Sequence, residues 1–157
     1  MTLKPIGTIH TPFKDLQQMP IQPKGAADTQ GTLVLHEAYK AGLKDLEGFS
    51  HVYILYYFHK ATRTELLVTP FMDTEIRGVF STRSPLRPSH LGMSVCEVIS
   101  VLDTIITLKG IDVLDGTPLL DIKPYIPQFD RVSDIKTGWM TKNESEVADM
   151  VSDNRFV

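Results

Sequence analysis

Short runs of apolar and β-branched residues follow one another closely along this chain. Each run is bounded by Gly, Pro, Asp or a polar cluster, which is typical of β-strands separated by tight turns. A series of this kind favours a barrel or a sandwich over a helix bundle. The predicted strands cover residues 3–11, 31–36, 51–58, 65–68, 77–81, 93–102, 104–108 and 119–122.

The run HVYILYYF at 51–58 is apolar at both alternating positions. Because successive side chains of a strand point to opposite faces, a strand here buries both of them. We expect one face to meet the core and the other a second subunit.

Two segments have helical periodicity instead. In HEAYKAGLKDLEG, apolar residues recur at helical spacing up to Gly48. In NESEVADMVSD, Asn143 and Glu146 have the spacing of a capping box. We therefore predict a mostly-β fold with a few short helices, organised as a barrel domain over 1–130 and a linker with a short helix over 131–157.

Composition limits the kind of partner and the compartment. The 157 residues carry a formal net charge of -3, which argues against nucleic-acid binding through bulk positive charge but leaves room for a local basic patch. The single cysteine, Cys96, excludes an intrachain disulfide and lies in an apolar run, as a core residue does. The start of the chain lacks the pattern of a secretory leader, and no apolar stretch is long enough to span a bilayer. We expect a soluble, cytoplasmic protein.

The segment RGVFSTRSPLRPSHLG, residues 77–92, contains Arg77, Arg83 and Arg87. Prolines after Ser84 and Arg87 hold the backbone extended. Fixed guanidinium groups on a rigid loop suit carboxylates or phosphates. The alternative is a solvated loop whose arginines pair with nearby acids.

The segment LDGTPLLDIKPYIP, residues 114–127, begins with a tight turn at Asp115-Gly116, where Gly can take a positive φ. Asp121, Lys123 and Tyr125 then share one face of the following strand. They could bind a polar ligand or move a proton. The alternative is a surface ion pair of little energetic weight.

Two further features are weaker. Prolines flank Ile21 and Gln22 in MPIQPKG, which presents an amide on a stiff loop or simply forms a connection. The five histidines lack metal-ligand spacing and have no cysteine pair beside them, so we expect no metal site.

Taken in order, these segments resemble the TsaA-like domain family. The resemblance runs over about residues 3–130 and is carried by PIGTIHTPF, the PIQ loop, GLKDLEGFSHVYILYYFHK, RGVFSTRSPLRP and DGTPLLDIKPYIP. The family's enzymes use S-adenosylmethionine to methylate N6 of threonylcarbamoyl-adenosine beside the tRNA anticodon.

The resemblance implies a single-sheeted β-barrel, a homodimer and a set of donor-binding positions. Mapped onto this chain, the donor contacts are Pro20, Ile21, Gln22, His59, Lys60, Arg83, Val95, Asp115, Gly116, Thr117 and Pro118. The chain departs from the family's usual motifs at Ile21, where Arg is usual, and at Ser89-His90.

The implied reaction requires a proton acceptor, because the attacking nitrogen loses its proton. We assign this role to Asp121 or Tyr125, tuned by Lys123. The carboxylate of the modified base suits Arg77 or Arg87. Two alternatives stay open: a non-catalytic S-adenosylmethionine-binding regulatory dimer, and a methyltransferase of a small molecule or protein.

Overall fold

The computed structural model describes residues 2–16, 26–71 and 73–140. Six antiparallel strands close into a barrel in the order β1-β2-β7-β6-β3-β8, and β4 and β5 form a separate two-stranded ribbon. The strands are β1 (Gly7–His10), β2 (Gln30–Leu35), β3 (His51–Tyr57), β4 (Leu67–Val68), β5 (Arg77–Gly78), β6 (Leu91–Leu102), β7 (Ile105–Lys109) and β8 (Thr117–Pro124). The predicted mostly-β barrel is confirmed, and every predicted strand overlaps an observed one.

Closure depends on β1, which pairs with β2 on one side and β8 on the other. Gly7 allows this close approach, because a Cβ there would lie 2.3 Å from the carbonyl oxygen of Val34. Alternate residues of the strands point inward and form one continuous apolar core. Its most deeply buried members include Ile9, Leu33, Val52, Ile54, Cys96, Ile106, Leu108 and Leu119. Cys96 is thus the core residue that its apolar run predicts.

The connection between β7 and β8 covers one end of the barrel. Ile111 and Val113 are buried in the core. The hydroxyl of Thr11, just after β1, donates to the carbonyl of Val113 at 2.7 Å. Because β1, β3 and β7 end here while β2, β6 and β8 begin here, we call this the site end of the barrel.

The long connection from β3 to β6 also leaves and re-enters the barrel at the site end. It contains the ribbon β4–β5 and a small core of its own, formed by Val68, Val79 and Leu86. Residues 131–140 return to this connection: the indole of Trp139 donates to the carbonyl of Ser81 at 2.8 Å, and Arg77 lies over the Trp139 ring.

The helix predicted at 36–48 takes a different form. The segment contains 3-10 helices at Glu37–Leu43 and Leu46–Gly48, interrupted by Asp45 in the left-handed region. Only Leu43 of the first piece is buried, so there is no continuous apolar stripe to support an α-helix. One α-helical turn, α1 (Pro127–Asp130), follows β8, and the helix predicted from Asn143 lies outside the described residues.

Candidate active site at one end of the barrel

The Asp-Gly turn and the end of β3 meet at the site end. The hydroxyl of Thr117, at the start of β8, lies 3.4 Å from Nδ1 of His59, just beyond β3. Thr117 is buried and His59 is partly buried. Burial, reinforced by the positive charge of Lys60, lowers the pKa of His59. A neutral imidazole is therefore favoured here, able to donate one hydrogen bond and accept another.

Gly116 adopts a φ of 76°, as the sequence predicts for a tight turn. Asp115 fixes this turn to the end of β1: its carboxylate accepts from the Thr11 amide at 3.0 Å and pairs with Lys14 at 2.7 Å. The hydrogen bond from Lys14 is the main reason that the pKa of Asp115 is lowered. Nothing lies within 4 Å of the position that a Gly116 Cβ would take, so the turn offers open backbone to a ligand.

The lowered pKa makes the contribution of Asp115 to stability pH-dependent. A carboxylate whose pKa is lower in the fold stabilises the fold above its unfolded pKa and loses that effect as the pH falls through its folded pKa. Asp115→Asn should therefore lower the free energy of unfolding at neutral pH, by about 1 kcal/mol or less for a pair at this exposure. The difference should vanish in acid. Urea unfolding across this range measures it, and a pH-independent difference would contradict the role given to the ion pair.

The arginine loop is rigid because its polar side chains bind its own backbone. The hydroxyl of Thr82 accepts from the Ser84 amide at 3.2 Å, and the hydroxyl of Ser84 accepts from the Leu86 amide at 3.2 Å. Arg87 donates to the carbonyls of Ser84 at 3.1 Å and Thr82 at 2.7 Å. The loop is thus a preformed platform.

The three arginines of this loop differ in what they bind. Arg87 is engaged by backbone carbonyls, and Arg77 is paired with Asp73 at 2.7 Å and stacked on Trp139. Arg83 is exposed, and within the described ranges its guanidinium makes no hydrogen bond or ion pair. The alternative raised from sequence, arginines paired with nearby acids, therefore describes Arg77, whereas Arg83 is available to a ligand.

A buried polar chain runs from the barrel interior to the arginine loop. The Ser94 hydroxyl donates to Oδ1 of Asp112 at 2.7 Å. Its oxygen lies 3.1 Å from the hydroxyl of Tyr56, so Tyr56 donates to Ser94. Burial raises the pKa of Tyr56 and the pKa of Asp112, and the positive charge of Arg83 counteracts both shifts. Arg83 is thus close enough to act on both groups.

Asp112 was not among the residues singled out from sequence. The detectable signal was its place in GIDVL, where a carboxylate interrupts an apolar run immediately before the Asp-Gly turn. Burial of that run brings the carboxylate inside, where it needs a donor.

The proposed proton-transfer residues lie further along β8 and just beyond its end. Asp121 and Lys123 share the outer face, as predicted, and pair at 2.9 Å. The ring of Tyr125 packs on Tyr53 with centroids 5.7 Å apart. Four strand positions separate Asp121 from Thr117, which is about 13 Å.

Val95 also points outward, opposite Tyr53 in the β3–β6 register. Within one subunit, therefore, the site end contains His59, Lys60, Arg83 and the Asp115–Pro118 turn. Val95 lies on the outer wall of the barrel, as do Asp121, Lys123 and Tyr125, which we call the Asp121 group. Pro20, Ile21 and Gln22 lie outside the described residues.

His90, one of the departures from the family's usual motif, has a structural role. It adopts a φ of 48°, its Nδ1 lies 2.9 Å from the carbonyl of Pro85, and its ring meets Tyr57 edge-on. Its own carbonyl accepts from the Phe58 amide at 2.8 Å, so it joins the arginine loop to the end of β3.

Two other kinds of feature are absent from the described ranges. No group of three or more His, Cys, Asp or Glu side chains there is placed to hold a metal ion. Nor do these ranges contain a helix with the length and apolar character needed to cross a membrane.

Comparison with known proteins agrees with this geometry. Residues 8–131 match the model of the tRNA-methyltransferase O N-terminal domain. The chain belongs to this family. The predicted resemblance to TsaA-like proteins is thereby confirmed, and the matched residues include every segment that meets at the site end.

The relatives share the fold and have related names. A Pyrococcus abyssi protein named "Probable S-adenosyl-L-methionine-binding protein" is 44% identical over 98% of this chain and 83% of its own length. The tRNA (adenine(37)-N6)-methyltransferase of Escherichia coli is 35% identical over 85% of this chain and 61% of its own length. The crystal structure of TrmO from Pseudomonas aeruginosa superposes with a TM-score of 0.74 at 38% identity, covering 88% of this chain and 62% of that one. The chain thus spans about three fifths of these last two family members.

Proposed function

We propose that this protein transfers a methyl group from S-adenosylmethionine to N6 of threonylcarbamoyl-adenosine next to the tRNA anticodon. Family membership and the names of the relatives support the donor and the reaction class. The observation that carries the proposal is the meeting, at one barrel end, of three features: an arginine with no ion-pair partner among the described residues, an open Asp-Gly turn and a partly buried histidine.

The chemistry of the site end fits the donor. Arg83 has no ion-pair partner in the described residues, so its guanidinium could bind the donor's carboxylate, and Lys60 after β3 is a second candidate. The open backbone around Gly116 and the buried Thr117 hydroxyl suit the polar groups of an adenosine. When bound, the donor supplies an electrophilic methyl group, and the protein's part is to hold the acceptor nitrogen in line with it.

We also propose that the chain works as a homodimer. The outer face of β3 and β6 carries Tyr57, Met93, Val95 and Ile99, all exposed in one subunit. Exposed apolar side chains grouped on one face of a sheet are typical of an interface. A second copy on this face would cover Val95 and the Asp121 group. These residues would then contribute to an active site formed between the two subunits. Sedimentation velocity would test it, since a monomer contradicts the proposal.

The direct test is transfer itself. The protein is incubated with labelled S-adenosylmethionine and tRNA from a strain that lacks the modification enzyme, and the labelled nucleoside is identified after digestion. We expect label in N6-methylated threonylcarbamoyl-adenosine. Donor binding without transfer would favour the alternative of a non-catalytic regulatory dimer. Label in a small molecule or protein would favour a methyltransferase with that kind of substrate. Loss of tRNA binding with rising salt would support RNA as the substrate.

Asp121→Asn tests the proton acceptor. The change preserves size but removes the base, so the transfer rate should fall by about 100-fold or more while donor affinity stays the same. Single-turnover transfer and calorimetry separate the two quantities. Full activity in this variant would remove Asp121 from the role and leave Tyr125 as the candidate.

A further inference from the structure

Among the three acids of the β7–β8 connection and β8, Asp112 is the one without an ion-pair partner in the described residues. The other two acids of the β7–β8 segment and β8 are already neutralised. Asp115 is paired with Lys14 at 2.7 Å, and Asp121 is paired with Lys123 at 2.9 Å on the outer wall. Asp112 therefore differs from both in having no cation paired with it in the described residues.

Asp112 is held in a fixed orientation. Oδ1 accepts the Ser94 hydroxyl at 2.7 Å, and Ser94, which is buried, is held in turn by Tyr56 at 3.1 Å. No other side chain of the described residues donates to this carboxylate. The second oxygen, Oδ2, thus has capacity for a donor from outside the protein.

The cation whose charge acts on Asp112 is Arg83. Arg83 interacts electrostatically with both Asp112 and Tyr56, yet no ion pair joins Arg83 to Asp112 within the described ranges. The two charges are close enough to interact and too far apart to neutralise each other. Such an arrangement suits a ligand that carries both charges on one carbon, as an α-amino acid does.

We infer that Asp112 binds the α-ammonium group of the donor while Arg83 binds its α-carboxylate. This inference rests on the proposed function and deepens it by naming the anionic half of the donor site. It also gives the Tyr56–Ser94–Asp112 chain a purpose, because the hydrogen bond from Ser94 holds the carboxylate that would meet the ammonium group.

The test compares two ligands and two proteins. S-adenosylhomocysteine keeps both charged groups of the donor, and its deaminated analogue keeps only the carboxylate. Asp112→Asn retains an oxygen that can accept from Ser94 but has no charge. By calorimetry it should lose about 10- to 100-fold in affinity for S-adenosylhomocysteine and almost nothing for the deaminated analogue.

Asp103→Asn is the matched control. Asp103 lies in the turn between β6 and β7, at the other end of β6, and pairs with Lys40 on the surface. It undergoes the same chemical change outside the site and should bind both ligands like the unaltered protein. Thermal unfolding of each variant shows whether the fold is kept.

The outcomes separate the possible roles. An equal loss for both ligands would make Asp112 a positioning residue for Arg83 and overturn the ammonium contact, and no loss for either would overturn it too. The unaltered protein must itself bind the deaminated analogue more weakly, and equal affinities there would overturn the inference even if the Asp112 variant failed to fold. If the unaltered protein bound neither ligand, the proposed function would fail, and the inference with it.

Discussion

Replacing Arg83 with alanine is expected to weaken donor binding by about 10- to 100-fold while leaving the fold unchanged. A charge-assisted hydrogen bond to a carboxylate contributes about 1.5–3 kcal/mol, and no described residue would lose a partner from the change. Titration calorimetry with S-adenosylmethionine measures the affinity. The affinity of Arg83→Lys should lie between those of the unaltered protein and Arg83→Ala, because an ammonium keeps the charge but lacks the planar guanidinium geometry.

Arg131→Ala is the control for this experiment, since Arg131 is an exposed arginine just after α1 and outside the site end. It should bind the donor like the unaltered protein. An unchanged affinity in Arg83→Ala would show that the donor's carboxylate is held elsewhere, with Lys60 as the next candidate.

Replacing Gly92 with alanine should destabilise the fold by about 1–3 kcal/mol or more. A Cβ on Gly92 would lie 2.2 Å from Cε2 of Tyr56. That ring cannot move aside freely, because it is buried, bound to Ser94 and packed edge-on against Phe58. Urea unfolding measures the loss.

Gly78→Ala provides the comparison. Gly78 has a φ of -64°, and nothing lies within 4 Å of its Cβ position. This alanine should be neutral or slightly stabilising, because it restricts the unfolded chain without a clash. Equal stabilities in the two variants would mean that the Tyr56 ring is not confined as described.

The strand pattern could be predicted from sequence because turn residues bound every apolar run. The pairing partners could not, since register depends on contacts between distant residues. The bulge between Leu55 and Tyr56, where β3 pairs with β8, is an example. It changes which residues of β8 face inward, so that Thr117 and Leu119 point into the barrel while Asp121 and Lys123 point out.

The composition of the site was only partly predictable. The Asp-Gly turn and the arginine loop were evident, because both are rich in residues with restricted backbones. The spacing of the arginines gave no sign that Arg77 and Arg87 have protein partners while Arg83 does not, since this depends on tertiary contacts with Asp73 and loop carbonyls. Asp112 was missed because a single acid in an apolar run has meaning only when its donor, Ser94, is known.

The pairing of β1 with β8 also constrains how the chain can be made. Gly7 pairs with Leu119 in that ladder, so β8 has to be synthesised before the barrel can close. Until then β1 and β3, the two strands that β8 joins, are open edges of the sheet, and such edges invite association with other chains. Proteins whose contacts are mostly local in sequence fold faster, whereas this barrel is closed by a pairing between strands that are far apart in sequence. Closure of the barrel is therefore expected to be a late step in folding, because it joins strands that are far apart along the chain.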